Sequence, residues 1–345
     1  MPNAITRRTF AATAAVALVA PLAAPFIRRA DAATPIQLRC SLDTAPSHPR
    51  NVAFRDFLAK VEAASDGQIT TKLFESGALF PDLQVLKAVV QGQVEMACPG
   101  TWTITGFVAD ADFSELPAFY GRPIETVRKA TDGKAGKFVN TEIANKLHVQ
   151  VLGGWFDLGF YNWFSTRKAL NSLADIKDMK IRSPGGVLIS WRIHYLGCIP
   201  IVTAWPDVPL AMSQGTFDGL ISSNESCNSA KLYDSGLRHS LQDHQGIGLY
   251  VPLVNQDFWT KIGPKMQETV LQLWADNLPG YRANTAKSQE HAREELTSHG
   301  VTFVDVAQAD LDTQQAKMVE QQDKAVQDAH ITPDLVKLVM ADVGA

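Results

Sequence analysis

The strongest constraint on the fold is an alternation of two apolar periods between residues 36 and 98. Residues 36–41 alternate with period two, which predicts a strand. Residues 50–64 place Val52, Phe54, Phe57, Leu58 and Val61 at helical spacing, and Ser65-Asp66-Gly67 ends that helix. Residues 68–74 read as a second strand. Residues 81–91 form a helix with Leu83, Leu86, Val89 and Val90 on one face, stopped by Gly92. Residues 94–98 read as a third strand. Strands joined through single helices need crossover connections, so the pattern predicts a largely parallel sheet with helices on both faces.

Two more helices follow at 124–131 and 137–146, separated by Asp132-Gly133, and then a strand at 149–153. A second strand–helix series starts near Lys180 and runs through 199–202, a helix at 207–214, and 216–221. Residues 246–254 read as one apolar central strand. Residues 264–299 are helical and polar, with a break expected at Leu278-Pro279-Gly280, where proline lacks a donor. A strand at 301–306 and helices at 310–328 and 333–340 close the chain. The fold class is therefore α/β, two-lobed, with a mostly parallel sheet in each lobe. The chain crosses between lobes: 33–158 with 246–287 form lobe I, and 159–245 with 288–345 form lobe II.

The N-terminus reads as an export signal. Thr6-Arg7-Arg8-Thr9-Phe10 is a twin-arginine pattern ahead of a weakly apolar stretch at 11–26, and Ala30-Asp31-Ala32 is a small-x-small cleavage site. Residues 1–32 are read as a Tat-type signal peptide, with a Sec signal as the alternative, and the location as periplasmic. Losing them removes four Arg and one Asp and moves the formal charge from −4 to about −7. That balance, with no basic stripe, argues against nucleic acid. Cys40, Cys98, Cys198 and Cys227 lack any CxxC spacing and read as buried free thiols, and no paired ligand spacing suggests a metal.

The chemistry centres on Lys180-Ile181-Arg182-Ser183-Pro184-Gly185-Gly186. An apolar-basic run meets a Pro-Gly-Gly break and then a helical segment at 187–195. This puts a permanent cation at a strand end, where open α/β sheets bind ligands. A guanidinium fork matches a carboxylate with two parallel hydrogen bonds. A surface Arg capping a strand is the competing reading at this point. The chain has no GxSxG, no GxxxxGK[ST], no HExxH and no strand-linked GxGxxG. An exported enzyme acting on a small organic acid is the alternative function, with Asp243-His244 and Glu225 as its modest candidates. No catalytic residue and no cofactor are assigned.

Three runs carry a family resemblance. They are Phe74-Glu75-Ser76-Gly77-Ala78-Leu79 with residues 86–96, Leu173 through Pro184, and Leu196-Gly197-Cys198-Ile199-Pro200 with residues 211–219. With these runs the chain resembles the DctP-type solute-binding proteins of tripartite ATP-independent periplasmic (TRAP) transporters. The resemblance implies a two-lobed binding protein with a long helix spanning both lobes, an organic-acid ligand, and a membrane permease as partner. It places the carboxylate-binding Arg on Arg182 and a pocket aromatic on Trp205, and it makes Ser222, Ser223 and Asn224 candidate polar contacts. Many members carry a second Arg where this chain has Tyr161. A phenol donates one hydrogen bond but cannot neutralise a second carboxylate, so a monocarboxylate is expected. The aromatics Trp155, Tyr161 and Trp205 suit one with an apolar or aromatic body. Gly100 and Trp102 are expected on the opposite wall, and Asp43 and His48 are further first-lobe candidates. Monomer and dimer both stay open.

Overall fold

The computed structural model describes residues 34–344, so the signal segment at 1–32 lies outside the described residues. The alternation at 36–98 builds the first sheet. β1 (Ile36–Ser41) pairs in parallel with β2 (Ile69–Phe74) and β3 (Met96–Ala97). β4 (Val149–Val151) closes the far edge. The second sheet takes β5 (Phe156–Ser165), β6 (Lys180–Ser183), β7 (Ile199–Val202), β8 (Gly219–Ser222), β9 (His239–Tyr250) and β11 (Thr302–Asp305). β10 (Leu253–Asn255) returns to the first sheet. The orders are β2-β1-β3-β10-β4 and β11-β9-β5-β8-β6-β7.

Both sheets are mixed. The antiparallel pairings all involve β5 or β10, which are the strands entered at crossings between the lobes. The apolar run at 246–254, read from the sequence as one strand, divides at Val251-Pro252. Its first half belongs to β9 and its second half is β10, in the other sheet. A run buried on both faces gives no periodic sign of where it changes sheet.

The helix Pro49–Ala64 packs its Phe54 and Phe57 rings against Trp274 at 5.5 and 5.3 Å. Trp274 lies on the 43-residue helix Gln256–Ser298, which runs from one lobe to the other. At its middle, Tyr281 donates to Asp56 and Arg282 forks onto Asp132 at 2.6 and 2.9 Å. Further along, Gln289 donates to the Leu158 carbonyl and accepts from the Glu225 amide, and Leu296 enters the core of the second sheet. The expected break at Pro279 does not occur. The non-helical residue inside this span is Gly263, at φ 76° and ψ 163°, directly before Pro264. The four cysteines are free and buried. No described helix is long and apolar enough to cross a membrane.

Candidate functional site

The carboxyl ends of β1, β3, β6, β7 and β8 converge on one cavity between the sheets, as expected for open α/β sheets. It is lined by Arg182, Trp205, Ser222 and Ser226 on one side and by Asp43, Asp82 and Trp102 on the other. Tyr161 of β5 and Tyr250 of β9, on the long antiparallel pair, form the floor. The cavity is narrow, about 20 Å³, room for little more than one water.

Arg182 is 2% exposed and pairs with Ile201 and Leu220 on the neighbouring strands. Its Nε and Nη2 both donate to the Thr203 carbonyl, at 3.0 and 2.9 Å. That contact fixes the guanidinium plane, and the Nη1 donors have no hydrogen-bond partner among the described residues. The cation lies 5.2 Å from the Trp205 ring centroid. Burial lowers its pKa, partly countered by Asp82, but a guanidinium stays charged. The turn after β6 explains Pro-Gly-Gly. Gly185 and Gly186 adopt φ of 114° and 84°, and a Cβ on Gly186 would meet Trp102 at 3.2 Å. Asp112, from the segment following β3, accepts from the Leu188 amide at 2.7 Å and so caps the next helix.

Two glycines make room for two aromatics. A Cβ on Gly100 would lie inside the Trp102 indole, and a Cβ on Gly248 would meet the Tyr161 phenol at 2.9 Å. Trp102 packs edge-on against Tyr161 at 6.1 Å and tilts over Tyr250 at 5.4 Å. The Trp102 Nε1 and the Tyr161 hydroxyl are buried and have no hydrogen-bond partner among the described residues. Burial, reinforced by Glu115, raises the Tyr161 pKa well above the usual tyrosine value, so the phenol keeps its proton.

Two carboxylates face these donors. Asp43 accepts from Arg50 at 2.5 Å, and Arg50 is stacked 3.8 Å over the Tyr250 ring. Asp82 begins the helix Asp82–Val90. Its Oδ1 accepts from the Trp205 amide at 2.9 Å, and its Oδ2 lies 4.0 Å from Arg182 Nη2. Burial, then the charge of Asp43, pushes the Asp82 carboxyl up to about 6, against the pull of Arg182.

Of the residues singled out from the sequence, Arg182, Trp205, Tyr161, Ser222 and Trp102 line the cavity together, and Asp43 joins them. Gly100 stands behind Trp102 as the position that admits its ring. Asn224 does not line it. Its amide exchanges two hydrogen bonds with Gln242, at 3.1 and 3.2 Å. Ser223 is turned inward to cap its own helix at the Ser226 amide. His48 bonds Ser226 at 3.1 Å and caps the helix Pro49–Ala64. Trp155 is core, 5.5 Å from Phe113, and donates to Asn140. Asp243 is sealed between the Tyr120 hydroxyl and the Trp163 indole, both at 2.8 Å, while His244 stacks on Phe160. Neither these two nor Glu225 reaches the cavity.

Sequence reasoning missed Asp82, Ser226 and Tyr250. Asp82 follows Pro81 at a helix start, where an acid also favours the helix dipole, so its position hides a second role. Among the described residues, no group of three or more His, Cys, Asp or Glu is placed to hold a metal ion.

A cation and two acids at converging strand ends describe a recognition cleft, and the profile of one protein family fits the chain around it. Bacterial extracellular solute-binding protein, family 7 (DctP) matches residues 41–328. The chain belongs to this family. The C4-dicarboxylate-binding periplasmic protein DctP of Rhodobacter capsulatus is 24% identical over 300 residues, covering 86% of this chain and 87% of that protein. The sugar acid binding protein DctPAm from Advenella mimigardefordensis, in complex with galactonate, superposes with a TM-score of 0.83 at 20% identity. That match covers 90% of this chain and 98% of the other. A TRAP periplasmic solute binding protein from Desulfovibrio salexigens, with bound orotic acid, gives 0.82 at 19% identity, covering 89% and 98%. This DctP-family chain is thus a two-lobed transport binding protein, and its relatives are binding proteins rather than enzymes.

Proposed function

We propose that this protein captures an organic acid bearing one carboxylate in the cavity between its sheets, with Arg182 as the carboxylate partner, and delivers it to a membrane permease. The observation that carries this reading is the guanidinium itself. Among the described residues, Arg182 is the one Arg or Lys lining the cavity, and it is held there by Thr203 with donors to spare. A buried carboxylate is costly unless paired. Two charge-assisted hydrogen bonds, at about 1.5–3 kcal/mol each, offset that cost.

The restriction to one carboxylate rests on charge. Tyr161 offers a phenol where a second cation would be needed, and a second carboxylate would meet Asp43 and Asp82. Relatives bind both kinds of acid, since the Rhodobacter protein is named for C4-dicarboxylates and the Advenella protein holds galactonate. Closure is driven if the ligand binds the closed state better, which groups from both walls allow. We keep the lobe boundaries at 158/159 and 245/246, and in their support β5 and β9 are irregularly paired between Asp157 and Gly159 and between Tyr161 and Trp163. Those irregularities support bending there. Residues 1–32 support export by the Tat route.

The test is a thermal-shift screen of mono- and dicarboxylates on the exported form. A ligand at about 100 times its Kd adds roughly 2.7 kcal/mol of apparent stability. The expected result is a shift with monocarboxylates that C4-dicarboxylates do not match. An equal or larger shift with dicarboxylates contradicts the single-carboxylate reading, and no shift with any acid contradicts the function.

A further inference from the structure

The cavity is not the apolar chamber that its aromatics suggest. Asp43 and Asp82 are 6% and 3% exposed and face the same small space as Arg182. Their charges are unequally balanced. Asp43 is in direct contact with Arg50, while Asp82 reaches Arg182 only at 4.0 Å and is otherwise held by backbone amides alone, those of Trp205 and Leu83. Two buried donors complete the lining, the Trp102 Nε1 and the Tyr161 hydroxyl, both unpartnered among the described residues.

A ligand carboxylate is an acceptor. It satisfies Arg182, Trp102 or Tyr161, and it does nothing for Asp82. If the rest of the ligand were hydrocarbon, Asp82 would be sealed against an apolar body with a second anion beside it. Buried acceptors without donors, and buried charges without partners, are strongly disfavoured. The site is complete only if the ligand also brings a donor.

We propose that Asp82, with Asp43 behind it, is a specificity-determining residue that selects carboxylates carrying a hydrogen-bond donor, a hydroxyl or an ammonium, over those with a hydrocarbon body. This deepens the carboxylate reading above and rests on it. The 4.0 Å between Asp82 Oδ2 and Arg182 Nη2 places acceptor and cation side by side. The donor therefore sits close to the ligand's own carboxylate, as in a 2-hydroxy or 2-amino acid. A site built around a polar group rejects the analogue lacking it more strongly than a hydrocarbon pocket rejects an extra hydroxyl.

Calorimetric titration with four acids on one six-carbon skeleton tests this: hexanoate, 2-hydroxyhexanoate, 2-aminohexanoate and galactonate. The expected result is that at least one donor-bearing acid binds the wild type about tenfold or more tightly than hexanoate. Asp82→Asn keeps an oxygen for the Trp205 amide but loses the charge, and it should shrink that preference by a similar factor. A larger loss for 2-aminohexanoate than for the hydroxy acids identifies the ammonium as the natural donor, and the reverse identifies hydroxyls. Hexanoate binding as tightly as the other three overturns the inference while leaving the carboxylate function standing, as does an Asp82→Asn variant that keeps the wild-type ranking. Failure of all four to bind overturns both. If Asp82→Asn does not fold, the wild-type ranking alone decides.

Discussion

Asp82 shows how one residue links stability and binding to pH. Its carboxyl is pushed up to about 6 by burial and by Asp43, so the folded protein holds this proton to higher pH than the unfolded chain does. The stabilising contribution is therefore fully present below the ordinary carboxylate pKa of about 4 and is lost as pH rises to about 6. Urea unfolding of wild type and Asp82→Asn between pH 4 and pH 7 should diverge across that window. The wild type should lose up to about 3 kcal/mol relative to the variant as pH rises. Parallel profiles would contradict this. The place of Arg182 in the cavity was legible in the sequence only with the family resemblance, since a charge at the end of an apolar run reads equally well as a surface Arg capping a strand. Asp82 was not, since an acid opening a helix is explained by the helix alone. Asn224 was misleading for a related reason: a polar residue just past a strand end looks poised for ligand, yet Gln242, 18 residues away on β9, takes its amide.

At the scale of elements, the long helix teaches most. Proline inside a helix loses one hydrogen bond and crowds the preceding turn, so a break at Pro279 was the local expectation. The helix continues because its neighbours are anchored on both sides, Trp274 at the Gly154 carbonyl, Tyr281 at Asp56 and Arg282 at Asp132. Tertiary contacts outweigh the local cost. The bend falls instead at Gly263, whose φ of 76° favours glycine. Gly263→Ala should therefore destabilise the protein by about 1 kcal/mol or more, while Pro279→Ala, which restores a backbone donor, should stabilise it by about 1–3 kcal/mol. Urea denaturation distinguishes the two signs, and a shared sign would show that the helix is not held by its anchors. The strand–helix alternation at 36–98 and 180–221 was readable because each element carries its own period. The division between β9 and β10 was not, because pairing partners in different sheets leave no local mark.

At the scale of the whole molecule, the two sheets present their carboxyl strand ends to each other, and the charges meet there. Hydrogen bonds across the cleft, His48 with Ser226 and the Leu188 amide to Asp112, join its two walls, and the cavity around Arg182 is narrow. Ligand entry then requires opening, and affinity reflects what the ligand adds to the closed state. Arg182 is the group proposed to receive the ligand carboxylate in that closed state. Because Arg182 also serves the Thr203 carbonyl, its removal should keep one donor in place, and Arg182→Gln does so while deleting the charge. Calorimetric titration of this folded variant with the tightest-binding acid of the wild type is the most direct measurement. The expected result is a loss of about a hundredfold or more in affinity. An affinity equal to that of the wild type would contradict it.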